Sequence, residues 1–364
     1  MDNSCKILVL GQGLAGTVLA RTLQQKGAVV SITDPFNIEG WGRGERLVPP
    51  SLPASVVAAG IINPVTGKRF AKSWRFDDFF PAARQWYGAF EKSLGVNIWQ
   101  ELPILRLLAS NEEENDWAAR CAMPDFAVHL AMADGAAAWT TLLKPGFRFG
   151  QILQAARVEL LPLLRAYRQL AQREGFFLRQ PIPAKMEHLL LEYDFVVYCE
   201  GAGSAYNPYF AQLPWVLSKG EALLIRFENP GASAIQQMLK KKIMVAPLGD
   251  GLFWCGSPYE WHFDDALPSP HGKAFIEDNL QDMLAGAYET VDHLAAVRPT
   301  VKDRRPFIGL LPTEPRIGIF NGLGTKGALL APYWANHFAE HLLEGRELDA
   351  TVDVRRFLVG KMPR

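Results

Sequence analysis

Gly11, Gly13 and Gly16, followed by an acid at Asp34, are the residues of this chain whose types and spacing most directly imply ligand chemistry. Gly11 and Gly13 let the backbone turn sharply and approach a pyrophosphate, and Gly16 lets the next helix lie close on the preceding strand. The first turn of that helix, through Leu14 and Ala15, aims N–H groups and a partial positive charge at the phosphates. Asp34 stands about twenty residues on, where a carboxylate accepts hydrogen bonds from a ribose. A lone glycine triplet would be a weak signal. Here the apolar run Ile7–Leu10, a helical pattern over Thr17–Lys26 and a second apolar run Ala28–Ile32 surround it. The order strand, glycine turn, helix, strand, acid predicts a dinucleotide site.

Other reactive residue types form no comparable group. His262, His271, His293, His337 and His341 lie on unrelated segments. His337 and His341 are four apart, as helical metal ligands can be, but no third ligand accompanies them, so no metal is expected. No Ser/His/Asp arrangement or GxSxG elbow occurs. Cys5, Cys121, Cys199 and Cys255 lack CxxC spacing and read as buried thiols. The strand-like run Tyr193–Cys199 ends in Glu200, Gly201, Ala202 and Gly203, a second place where backbone can meet a ligand.

The elements that must position these groups fit a chain of 364 residues, enough for about two domains. The formal net charge is zero, so nothing global recruits nucleic acid or an anionic membrane. The run Lys240–Lys242 reads as a solvated surface. No uninterrupted apolar stretch reaches about 18 residues, so no spanning helix is expected. The start of the chain has some outline of a signal peptide, but its glycines and helix fit a nucleotide fold better, and a reducing, cytoplasmic setting is the default. Residues 35–56 read as a loop, Asp77–Gly95 as a helix with an aromatic core stripe, and Leu102–Ala109 as a strand. Ser110 caps a further helix. Gln151–Glu174 reads as one long helical segment that Pro162 starts or kinks. Phe176–Arg179 reads as a short strand and His271–Ala285 as a helix. Glu221–Phe227, Lys242–Ala246 and Leu252–Gly256 read as antiparallel strands. Ile317–Phe320 reads as a last strand, then a glycine loop and a helix from Ala328 to Leu343. Parallel α/β elements at the beginning, middle and end, with β-rich stretches between, predict two interwoven domains of α/β class, α+β overall.

At this point four anchors, in order, resemble the D-amino-acid oxidase superfamily of FAD-dependent enzymes, near glycine oxidase and sarcosine oxidase. They are Gly11–Gly16 with Asp34; Tyr193 to Gly203; Cys255-Gly256-Ser257-Pro258-Tyr259-Glu260; and Val297-Arg298-Pro299 through Gly309, followed by Gly322–Gly327. The chain is also similar to the oxidase domain of enzymes that modify tRNA wobble uridine, most closely at Gly60–Pro64 and in the Gly322–Gly327 loop. The resemblance implies a Rossmann-like FAD-binding domain of the glutathione-reductase type, in segments 1–85, 151–215 and 298–364. A β-rich substrate domain would occupy 86–150 and 216–297. FAD would lie extended, its pyrophosphate on Gly11, Gly13 and Gly16 and its adenosine ribose on Asp34. Ala59, Gly60 and Ile61 would run beside the flavin, and Gly322, Leu323, Gly324, Thr325, Lys326 and Gly327 would meet its pyrimidine ring. Thr300–Pro306 contains no cysteine at the place where sarcosine oxidases attach flavin, so the FAD is expected to be non-covalent.

The same resemblance gives Arg298 the grip on a substrate carboxylate, through two parallel charge-assisted bonds. The alternative is a structural arginine paired with an acid. Lys326 would stabilise negative charge near the flavin or substrate, or else is a surface lysine ending a turn. Glycine oxidases carry an Arg where this chain has Thr325, and the tRNA-modifying relatives carry an Arg at Lys326, which puts small-amino-acid specificity in question. Tyr259 would line the substrate pocket, with core packing as its alternative. The expected activity is oxidation of the C–N bond of a small amino acid or secondary amine by hydride transfer to flavin. The competing substrate is a carboxymethylaminomethyl group of a modified tRNA uridine. Zero net charge and the lack of a methyltransferase segment tell against it, although Lys68, Arg69, Lys72 and Arg75 are candidates for a basic patch. The flavin-facing loops at both ends of the chain argue against a non-catalytic flavin or NAD-binding module, and an NAD dehydrogenase is expected to lack Arg298-Pro299 followed by the terminal glycine loop.

Overall fold

The structure, a computed structural model, describes residues 4–38, 52–67, 70–133, 135–178 and 190–358. Among these, six strands form one sheet in the order Phe177–Leu178, Val29–Thr33, Lys6–Leu10, Phe195–Tyr198, Glu314–Asn321 and Phe307–Leu311. The first five are mutually parallel and the last is antiparallel. Strands of such a sheet are covered on both faces, and the period of two sorts their side chains. Ile7 and Val9 enter the core beneath the helices, whereas Leu8 and Leu10 enter the core on the opposite face. The helix Leu14–Gln25 leaves the glycine turn and packs beside the helix Gly327–Glu344, which in turn packs on Phe76–Leu94. Phe79, Tyr87 and Phe90 of that last helix are buried and Phe80 and Trp86 half-buried, as a core stripe requires.

The second large sheet has eight strands among the described residues, from Tyr288–Arg298 through Ser218–Phe227, Leu252–Gly256 and Met244–Gly249 to Met238–Lys240, then Ile104–Leu108, Arg148–Ile152 and Leu130–Ala133. All its pairings are antiparallel except Met238–Lys240 with Ile104–Leu108. One face is covered by the helix Pro270–Gln281, through Ile276 and Leu280. The parallel sheet thus draws on both ends and the middle of the chain, and the antiparallel sheet on the stretches between. This is the mixed, interwoven α/β architecture expected.

Several local expectations are corrected. Residues 151–158 are not helical: Arg148–Ile152 and Ala156–Val158 are strands, and the helix is Leu160–Arg173. A side chain at Gly150 would run into the Trp117 ring, so the glycine exists to let that indole cross the strand. Pro162 falls in the first helical turn, where a missing N–H costs nothing. Tyr288–Arg298 is an eleven-residue strand that the sequence pattern does not announce, because residues 289–292 are exposed while 294–296 are buried. Lys240 and Lys241 are half-buried, with Lys241 over the Phe147 ring; only Lys242 is the solvated residue expected. Residues 39–51 of the expected loop, and Lys68 and Arg69, lie outside the described residues. Ala54–Val57 forms a short helix. Lys72 is paired with Asp77 at 2.5 Å and Arg75 with Asp78 and Asp349 at 2.8 and 3.2 Å, so these two cations are not free for phosphate. No helix among the described residues is long and apolar enough to cross a membrane, and no metal-holding cluster occurs among them.

Candidate active site

The glycine turn sits at the carboxyl ends of the paired strands Lys6–Leu10 and Phe195–Tyr198, the crevice where open α/β sheets bind ligands. Gly11 has φ +101°, and a Cβ there would lie 2.5 Å from the Cys199 carbonyl oxygen. A Cβ on Gly16 would lie 1.8 Å from the Gly11 oxygen, so only glycine lets the helix approach this strand. The helix begins with no side-chain bond from Gly13 and no acid in its first turn, so no carboxylate of its own offsets its positive end. Ser55 contributes a hydroxyl that accepts from the Leu14 N–H at 2.9 Å. Asp34 accepts from the Gln12 and Phe36 N–H groups at 2.5 and 2.7 Å and so braces the turn. Burial pushes its carboxyl up, against the pull of these two N–H groups and Arg168. Arg168 donates to the Gln12 side chain and to the Phe36 carbonyl. The sequence reading missed Ser55, Gln12 and Arg168; the only signal for Arg168 was a basic residue on the otherwise apolar face of its helix.

A side chain at Gly13 would meet only the Ser55 hydroxyl, and one at Gly201 nothing within 4 Å. The surface at the two strand ends is therefore bare backbone facing open space, the lining a pyrophosphate needs. Gly203 lies in the short turn Gly201–Ala205, which Asn321 ties down by donating to the Gly201 carbonyl and the Ser204 hydroxyl, both at 2.8 Å. Ala59 and Gly60 are buried and Ile61 half-buried, and a Cβ on Gly60 would lie 2.0 Å from the Val158 oxygen. At the other end of the chain, Gly322 has φ +75° and Leu323 is buried; Gly324 and Thr325 lead into Lys326, and Gly327 opens the last long helix against Leu14. That helix also lacks an acid in its first turn. Two helix N-termini thus stand side by side where the glycine-bearing loops meet. These residues fit a dinucleotide carrying a pyrophosphate.

Arg298 ends the Tyr288–Arg298 strand. Its guanidinium donates to the carbonyls of Lys219 (3.3 Å) and Pro258 (3.2 Å) and to the Ser257 hydroxyl, and rests over the Tyr259 ring at 4.7 Å. A Cβ on Gly220 would clash with it. Burial lowers its pKa. Among the described residues no carboxylate lies within 4 Å of it. Tyr259 is 53% exposed and stacked on Trp261 at 5.9 Å, so it is not a core residue. Lys326 is half-buried, donates to the Ser73 hydroxyl at 3.1 Å, and has no described carboxylate within 4 Å. Burial lowers its pKa, and Arg304 and Arg305 lower it further. The Gly322–Gly327 loop lies against Thr300 and Val301, two and three residues beyond Arg298.

Behind Arg298 is an ionic network that sequence reasoning missed. Lys219 and Glu221, 3% and 1% exposed, pair at 3.3 Å. Glu221 also accepts from Ser269 through backbone and hydroxyl and bonds His293 at 2.7 Å. Burial pulls its carboxyl up, but these hydrogen bonds and the Lys219 charge outweigh it and hold it down at about 2. Lys219 reaches on to Glu260 and Asp265, so the network anchors the loop that carries Tyr259. No sequence signal marks it, because its members are 2 to 74 residues apart.

Residues 6–341 match the family described as FAD dependent oxidoreductase. The chain is 24% identical to a glycine oxidase of Pseudomonas putida over 94% of its own length and 96% of the relative's. It is 25% identical to the tRNA 5-methylaminomethyl-2-thiouridine biosynthesis bifunctional protein of Caulobacter sp. (strain K31), over 97% of this chain but only 57% of that protein's length. Among solved structures it resembles the iminodiacetate oxidase of Chelativorans sp. BNC1, with a TM-score of 0.74 at 18% identity over 94% of this chain and 96% of that one, a likeness of fold alone. With the family match running through nearly all of a chain whose strand ends and helix N-termini suit a dinucleotide, this protein belongs to the FAD dependent oxidoreductase family and is an FAD-dependent enzyme.

Proposed function

We propose that this enzyme oxidises the C–N bond of a small amino acid or secondary amine that carries a carboxylate. The observation that carries the reading is Arg298: a largely desolvated guanidinium, oriented by carbonyls, with no described acid to neutralise it. A guanidinium held this way favours an incoming carboxylate by charge-assisted, directional bonds. Gly11, Gly13, Leu14, Ala15 and Gly16 would hold the pyrophosphate, and Asp34 would accept from the ribose. Ala59, Gly60 and Ile61, with Gly201 and Gly203, would line the cofactor's length, and Gly322–Gly327 its far end. When bound, FAD supplies the two-electron acceptor for hydride leaving the carbon next to the amine nitrogen. The chain's part is to fix the substrate through Arg298, to shape the pocket with Tyr259, and to keep a cation at Lys326 near developing negative charge. A neutral amine loses hydride without a protein base, and none is assigned.

The test is anaerobic addition of amines and amino acids to the FAD-loaded enzyme while the flavin absorbance is followed. Bleaching by a carboxylate-bearing amine supports the reading. Bleaching by 2-hydroxy acids alone overturns it. A second reading, a carboxymethylaminomethyl group on tRNA uridine, is favoured by the bifunctional relative and by the cationic surroundings of Lys326. Flavin bleaching by tRNA bearing that group, with no response to free amino acids, would select it.

A further inference from the structure

Lys326 is held by a hydroxyl and not by an acid, and the polarity of that contact is fixed. Its ammonium can only donate, and among the described residues its one hydrogen-bond partner is the Ser73 Oγ at 3.1 Å. A serine hydroxyl carries one proton, and that of Ser73 goes to the Asn63 carbonyl at 2.9 Å. The lone pairs of Oγ are therefore left to face the ammonium. Ser73 is 3% exposed, and its N–H donates to the Pro64 carbonyl at 2.7 Å, closing the base of the strand pair Val65–Thr66 and Ala71–Lys72. The Asn63 side chain accepts from the Val65 N–H at 2.9 Å and fixes the same turn. Next along the chain, the Trp74 ring stacks on Trp334 and is covered by the Arg305 guanidinium at 3.8 Å. The hydroxyl thus stands on a well-packed base. Arg304 and Arg305 lie near enough to repel the Lys326 ammonium, so without an acceptor this flexible side chain turns toward water. A carboxylate at position 73 would hold the ammonium and cancel its charge. A hydroxyl orients the ammonium and leaves its charge available. The contact joins positions 253 residues apart, and so ties the Gly322–Gly327 loop to the segment that begins at Gly60.

Resting on the function proposed above, we infer that Ser73 is a positioning residue for the reaction: its hydroxyl, braced on the Asn63 carbonyl, holds the Lys326 ammonium on the Gly60–Pro64 side of the site, where developing negative charge needs it. Ser73 itself touches neither substrate nor cofactor in this assignment and acts only through Lys326.

Two measurements on the FAD-loaded enzyme test it. In the first, a trace of acetic anhydride acetylates the lysines near neutral pH, and mass spectrometry compares the Lys326 peptide with that of the exposed Lys302. Ser73→Ala is expected to raise acetylation of Lys326 relative to Lys302 at least about threefold, because the amine loses the acceptor that favours its protonated form. Ser73→Cys keeps the shape of the side chain but accepts weakly, and should do the same. In the second, steady-state rates with a carboxylate-bearing amine are read for Ser73→Ala alone and combined with Lys326→Met. Alone it is expected to lower kcat by about tenfold with KM changed by less than about twofold; in the Lys326→Met background it should lower kcat by less than about twofold. Unchanged acetylation in both Ser73 variants, an unchanged kcat, or a kcat loss of equal size in the two backgrounds overturns the assignment. Raised acetylation in an enzyme whose flavin no amine bleaches would leave the hold on Lys326 standing and refute the oxidation. Bleaching by amines together with unchanged acetylation would do the reverse.

Discussion

Arg298 and Lys326 are two cations that folding leaves without described acid partners, and each carries a consequence that can be measured. Arg298→Ala is expected to raise KM for a carboxylate-bearing amine by roughly 10- to 100-fold, since a desolvated charge-assisted pair is lost. Initial rates against concentration check this, and an amine lacking a carboxylate should respond far less. Arg298→Lys should recover only part, because a point charge replaces a planar fork. For Lys326, burial and the nearby Arg304 and Arg305 favour the neutral amine. Its charge is therefore lost at lower pH than that of an ordinary lysine, and a rate that needs the ammonium declines early on the alkaline side. Lys326→Met should lower kcat/KM at neutral pH and abolish that alkaline decline in the pH profile.

At the scale of elements, the glycine contacts and the buried ionic network are the sensitive joints. Gly16→Ala places a methyl where the Gly11 carbonyl already lies, forcing helix Leu14–Gln25 off its strand and out of line with the pyrophosphate position. The purified variant is expected to be colourless or nearly so, checked by flavin absorbance against protein concentration. Glu221 joins strand Ser218–Phe227 to strand Tyr288–Arg298 and to the start of helix Pro270–Gln281. Its folded pKa of about 2 lies below the ordinary 4.5. A depressed carboxyl contributes its stability fully above the unfolded pKa and loses it as pH falls through the folded one. The contribution is roughly 3 kcal/mol, lost between about pH 4.5 and pH 2. Glu221→Gln should lower the melting temperature at pH 7 and flatten its acid dependence in that window, measured by thermal unfolding across pH.

For the molecule as a whole, Gly327 meets Leu14 across some 300 residues of chain, so the proposed cofactor site is a property of the folded chain rather than of either segment. Thr300–Pro306 contains no cysteine, so the proposed FAD is expected to be held without a covalent bond. Acid or heat denaturation is expected to release FAD into the supernatant, and the mass of the remaining chain should carry no flavin addition. A ligand that bridges distant segments binds only the native state, so unfolding and release should coincide when flavin fluorescence and circular dichroism are followed together.

The residues 6–34 told of their strand, turn, helix and acid because that signal is local: short-range steric rules at glycine and apolar periodicity act within one β-α-β unit. The aromatic helix near 76–94 and the final helix were legible for the same reason. Residues 151–158 and the Tyr288–Arg298 strand were not, since their conformation answers to partners far along the chain: Ile61 and Ile62, Trp117, and strand Ser218–Phe227. The carbonyl-held, carboxylate-free setting of Arg298, the inward turn of Lys219 toward Glu221 and the exposed stack of Tyr259 on Trp261 were decided by tertiary structure alone. Hydrogen-bonding partners, desolvation and exposure are sums over atoms that folding brings together, and no spacing in the sequence encodes them.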